Sequence, residues 1–129
     1  MSMSNYLENK MLDHSLKGTP YVQPTSIFIA LYTSDPLDTD VGTEVTGNAY
    51  ARQLVTFSPS VVNSGSATTS ADVNFPVTTG AWGTITHAGI RDALTGGNLL
   101  YSGILSVAQS VLTSNQFVIK AGQFTITLD

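Results

Sequence analysis

His87 sits five residues after Trp82, the chain's only tryptophan, and four before Arg91 and five before Asp92, with a Gly96-Gly97 pair close behind. A histidine, a carboxylate and a basic group within a few residues are the types that acid–base or nucleophilic chemistry needs. Paired glycines add the possibility of a phosphate cradle. In an extended strand, however, "GTITHAGIRD" alternates: Ile85, His87, Gly89 and Arg91 are expected on one face, and Thr84, Thr86, Ala88 and Ile90 on the other. Asp92 would then lie across the strand from His87 and could not orient it. A glycine loop that cradles phosphate runs from a strand into a helix. Here "LLYSGIL" follows, another strand pattern, so Thr95-Gly96-Gly97-Asn98 reads as a hairpin turn.

A second group of candidate ligands is acidic. Asp35, Asp38, Asp40 and Glu44 crowd a polar loop with Gly42 among them, and such oxygens could hold calcium. Counted from Asp38, the sixth and twelfth positions are Thr43 and Ala49, so the EF-hand pattern fails and a polar loop is expected. Trp82, Tyr101, Phe75 and Phe117 could form a ligand platform, but aromatics at strand spacing pack into cores. No carboxylate pair suits glycoside hydrolysis. No catalytic residue, cofactor or metal site is assigned, and the chain is read as a non-enzyme.

The elements that would carry these residues are mostly strands. "SIFIALY" (26–32) is apolar on both faces and should be central. "RQLVTF" (52–57), "ADVNF" (71–75), 83–92, 98–105, a weaker 109–112, 116–120 and 123–128 follow, with a Ser/Gly-rich turn over 58–70. Val73 and Phe75 are expected inward, as are Phe124, Ile126 and Leu128. Ala121-Gly122 would join the last two strands as a tight hairpin. This pattern predicts a mainly β chain: a single antiparallel β-sandwich, jelly-roll-like or Ig-like, over 25–129. Residues 1–24 form an N-terminal helix and arm. The helix spans 5–17, with Leu7, Met11, Leu12 and Leu16 as its apolar stripe, Asn5 and Glu8 as a capping box, and Gly18 as its stop. Those four residues are the candidate interaction site, because so short a helix must pack on something.

Composition narrows the partners. Of 129 residues 42% are hydrophobic and only 11% charged, which suits a β-protein partly hidden in an assembly. Net charge is −4 with five scattered basic residues, so nucleic acid has no electrostatic footprint. There is no cysteine, no secretory pattern at the start and no apolar run of membrane-spanning length. The protein is expected to be made in the cytoplasm and then incorporated into a larger structure.

Taken in order, "NYLENKMLDHSLKG", "IFIALYTSDP", "GTEVTGNAYARQLVTF", "WGTITHAGIRDALTGGNLLYSGIL" and "IKAGQFTITLD" resemble a family of small tailed-bacteriophage virion structural proteins. Its members are often labelled tail fibre proteins. The resemblance runs along nearly the whole chain and implies a structural role without catalytic residues. It also implies tight turns at Gly47, Gly96 and Gly97, and core packing at Tyr50, Trp82 and Leu100. A receptor-binding fibre would be expected to show a shaft of heptads or β-repeats, which this sequence lacks. The favoured expectation is therefore capsid decoration: a cement protein, self-associated as a homotrimer, bridging copies of the major capsid protein on the virion surface. The alternative is a tail or tail-fibre component that contacts tail proteins or a host surface receptor. The helix, through Leu7, Met11 and Leu16, would be the grip or trimer contact, and deleting 1–18 would leave a folded β-domain.

Overall fold

The computed structural model describes residues 2–58 and 65–128. Within these, β1 (Ser2–Met3) leads into α1 (Asn5–Leu16), followed by β2 (Ile27–Tyr32) and β3 (Gln53–Val55). Then come β4 (Ser66–Thr68), β5 (Val73–Asn74), β6 (Gly83–Arg91), β7 (Leu99–Val111), β8 (Val118–Ile119) and β9 (Thr125–Thr127). Three longer strands and two short ones form one antiparallel sheet in the order β1-β7-β6-β2-β3, and the remaining short strands pair as β4-β9 and β5-β8. Of the turn expected over 58–70, residues 59–64 lie outside the described residues, and Ser66–Thr68 form strand β4 instead of turn. No helix among those described is long and apolar enough to cross a membrane.

The core lies between the large sheet and the short ladders. Ile29, Leu31, Ile85, Ala88 and Ile90 share one buried cluster with Val73, Phe75, Ile119, Phe124 and Ile126. The chain is therefore mainly β, antiparallel and sandwich-like with one short helix, as its patterning predicts. β2 is apolar on both faces because both are covered. Ile29 and Leu31 enter the main core, while Ala30 and Tyr32 pack with Leu99 behind the sheet.

Strict alternation fails in β6. Ile85 is buried in the same cluster as Ala88 and Ile90, although simple parity puts it on His87's face. The reason is a bulge: Ile85 pairs with Gln109 but His87 with Ile104, so two steps of β6 span five of β7. A bulge shifts which residues face inward on either side of it. The same irregularity joins the two segments expected at 98–105 and 109–112 into the single strand β7.

Three local expectations change. The helix is capped by Ser4, not Asn5: the extended Ser4 accepts from the Leu7 N–H at 3.3 Å, and its hydroxyl also donates to the Leu99 carbonyl. Ser4 N–H meets the Leu100 carbonyl at 2.8 Å, so the end of β1 holds the cap against β7. Gly18 does end the helix, at φ +70°, with Thr19 N–H reaching back to the Asp13 carbonyl. Ala121-Gly122 does turn, with Gln123 N–H bonded to the Lys120 carbonyl at 3.0 Å. It is not a hairpin, because β8 pairs with β5 and β9 with β4. Phe124 and Ile126 point inward as expected, whereas Leu128, beyond the end of β9, is exposed.

Candidate functional site

The tip of the β6–β7 hairpin meets the loop that follows β2, and there the polar residues converge. Arg52 and Arg91 are both buried, each committed to a carboxylate and to turn carbonyls. Arg52 Nε and Nη2 grip the two oxygens of Glu44 at 2.8 and 2.7 Å, and its Nη1 donates to the Ala93 and Gly96 carbonyls, both at 2.8 Å. Arg91 grips Asp40 at 2.7 and 2.9 Å, and also donates to Tyr32 Oη and the Gly97 carbonyl at 3.0 Å. A planar fork with five donors suits this double duty as no lysine would. Tyr50 completes the group: its hydroxyl donates to Glu44 at 2.7 Å and accepts from the Leu31 N–H at 3.0 Å.

The electrostatics follow from burial and pairing. Burial alone would raise the Glu44 pKa, but hydrogen bonds from Arg52 and Tyr50 and the guanidinium charge outweigh it and hold the carboxyl below its usual range. Burial pushes the Tyr50 phenol well up. Burial also raises Tyr32, against the pull of Arg91. Glu44 is held ionised and both phenols protonated through neutrality, and the cluster fastens two loops together.

The sequence candidates are placed as follows. His87 Nδ1 lies 2.8 Å from Thr86 Oγ1, and its Nε2 stands 3.7 Å from an Asp35 carboxylate oxygen. An orienting carboxylate must sit at hydrogen-bond length, and this one is too far. Asp92 serves the turn instead, accepting from Asn98 N–H at 2.7 Å and Asn98 Nδ2 at 3.0 Å. Trp82 is buried, donating to the Asn48 carbonyl at 3.0 Å, edge-on to Tyr50 at 5.3 Å and packed with Phe75. It is core rather than platform.

The acidic loop divides its carboxylates among different partners. Asp35 accepts from Leu37 N–H, Asp38 from the Ser2 hydroxyl, and Asp40 and Glu44 go to the two arginines. Among the described residues no group of three or more His, Asp or Glu side chains could hold a metal. The loop was expected to be merely polar. Its two central ion pairs are not legible in the sequence, because no spacing rule connects residue 40 to 91 or 44 to 52.

The helix stripe is split. Leu7 is buried in the chain's own core and Met11 packs against it, while Leu12 and Leu16 are exposed. The stripe is divided because α1 lies on β7 along its Leu7 side and nothing covers the next face. Deleting 1–18 would therefore remove a core residue and β1 as well as any grip. Val22 adds a third exposed apolar side chain shortly after the helix. Elsewhere Ile104 and Val107 are exposed on β7, beside a groove of about 800 Å³ lined by Leu105, Phe117 and Phe124.

A family model described as "Gp80: Podophage GP4 fiber I protein gp80" matches residues 2–127. Comparison with curated proteins finds no match.

Proposed function

The chain belongs to the podophage GP4 fiber I protein gp80 family, and is thus a phage virion structural protein of fibre type; on that premise we propose that it is a non-enzymatic building block of the phage's fibre apparatus. The observation that supports this reading is how the signature residues are used. Arg52, Arg91, Trp82 and Asp92 are all spent on internal bonds that fix the hairpin and its loop. The surface left for partners includes exposed apolar side chains: Leu12, Leu16 and Val22 on and after the helix, and Ile104 and Val107 on β7. Burying such surface yields roughly 25 cal/mol per Å² without any charge to position. The partners are further copies of the chain and neighbouring tail proteins.

Capsid decoration is the competing placement. It is favoured by the exposed helix face, Leu12 and Leu16, which suits an arm laid on a shell. Imaging labelled particles by cryo-EM, together with a quantified gel of purified virions, separates the two. Density at the tail and a copy number far below that of the major capsid protein are expected. Density over the shell at a copy number like the capsid protein's would replace this reading with the decoration one. Leu12→Glu with Leu16→Glu should reduce incorporation while leaving the fold intact, and undiminished incorporation would remove the helix from the interface.

A further inference from the structure

We propose that the outer edge of β7, from Gly103 to Ser110, is the self-association surface of this protein, and that the strand it pairs with is the same edge of a second copy, antiparallel across a two-fold axis. The inference deepens the self-association in the preceding reading and rests on it. β7 has neighbours β6 and β1 only, and β1 reaches no further than Tyr101 and Ser102. Beyond that point the outer edge has no strand beside it among the described residues. Free backbone donors and acceptors along an extended edge select for one kind of occupant, another strand.

Several observations point to a copy of the same chain. An antiparallel isologous contact sets residue i opposite residue j and j opposite i, with only the residues at the two-fold meeting their own counterparts, so a stretch without charge needs no oppositely charged partner at any register. The stretch "GILSVAQS" contains no charged residue and no proline, two of the devices that protect a free edge, and a third, the bulge, is confined to Leu105–Ala108. It carries exposed Ile104 and Val107 instead. The opposite edge of the sheet, β3, offers only Gln53–Val55 and cannot match its length. The bulge bows Leu105–Ala108 out of the β6 ladder, leaving these four without a partner residue in β6.

The space beside the edge agrees. The groove of about 800 Å³ beside Leu105 and Phe117 opens between the layers, and a second of about 550 Å³, beside Asp35 and His87, opens on the other face. Gly103 and Ile104 line both, so the side chains of an added strand have room on either side. In place of the trimer expected from the sequence, edge pairing closes with two copies and makes one continuous sheet of both.

The test uses the purified full chain. Light scattering on a sizing column should give twice the 13.6 kDa of one chain, and Val107→Lys should shift it to a single copy with an unchanged circular dichroism spectrum. As a check independent of that variant, cysteine is substituted in turn for Leu105, Ser106 and Val107 in a chain with none of its own. At least one should give a covalent dimer under mild oxidation, whereas Ser70→Cys should not. A wild-type monomer, an oligomer indifferent to Val107→Lys, or no crosslink from any of the three overturns the proposal. A dimer from a protein missing from virions would instead defeat the fibre reading and leave the edge pairing standing.

Discussion

The two ends of the β6–β7 hairpin are built on opposite terms. At the tip, two guanidiniums, two carboxylates, two phenols and three turn carbonyls close on one another, with no buried side-chain polar atom left without a partner among the described residues. Along the outer part of β7 the chain carries no charge, bows away from its neighbour and leaves Ile104 and Val107 in water. Pairing charges at the tip fixes a shape, because a buried ion left alone is costly. Leaving the far edge neutral and unpaired keeps a surface that another strand can complete. The most recognisable residues of the chain are thus the ones least available to a partner.

If that contrast holds, substitutions at the two ends should differ by several kcal/mol. Arg91→Ala strands Asp40 and Tyr32 and should cost about 3 kcal/mol by chemical denaturation. Arg52→Ala should behave alike, and a loss below about 1 kcal/mol at both would mean the clasp is ornamental. Gly97→Ala comes next, at about 2 kcal/mol. Gly97 has φ +69°, and an added Cβ would collide with Asp92 Oδ1 and Ala93 Cβ.

The clasp also predicts a pH window. The Glu44 pKa is lowered in the folded state, so its stabilisation is complete above the ordinary carboxyl value of 4.5 and lost as pH falls from there through the folded value. Tyr50 is raised, so its contribution is complete below 10 and lost as pH climbs above that. Thermal midpoints should therefore fall at both extremes, with the acid limb flattened in Glu44→Gln and the alkaline limb in Tyr50→Phe. Unchanged limbs in both variants would assign the pH response elsewhere. The smallest effect is expected at the open edge: Val107→Lys should alter the stability of the single chain by no more than about 0.5 kcal/mol. A larger loss would mean that Val107 supports the fold rather than awaiting a partner.

Much of this architecture can be read from the chain. The double-sided apolar run of β2, the alternation placing Val73 and Phe75 inside, the Gly96-Gly97 turn and the Gly18 stop all express local stereochemistry and short-range patterning. Local rules fail where distant segments meet. Ile85 joins Ala88 inside because β7 bows out opposite it, and Ser4 rather than Asn5 caps the helix because β7 holds it. His87 meets Asp35 rather than Asp92 because the turn after β2 lies beside β6. Leu7 and Leu16 look equivalent on a helical projection, and only the position of β7 makes one core and the other surface.

The sequence by itself determined a mainly β chain with one helix, free of nucleic-acid-binding charge, whose glycine-rich hairpin holds structure and whose motifs carry the family resemblance. It could do so because period, turn chemistry and composition act over a few residues. Tertiary structure alone decided that Arg52 and Arg91 lock the acidic loop to that hairpin, and that β7 has no strand on its outer side beyond Ser102 among the described residues. Those outcomes depend on which segments lie side by side, and burial then sets the cost of every unpaired charge.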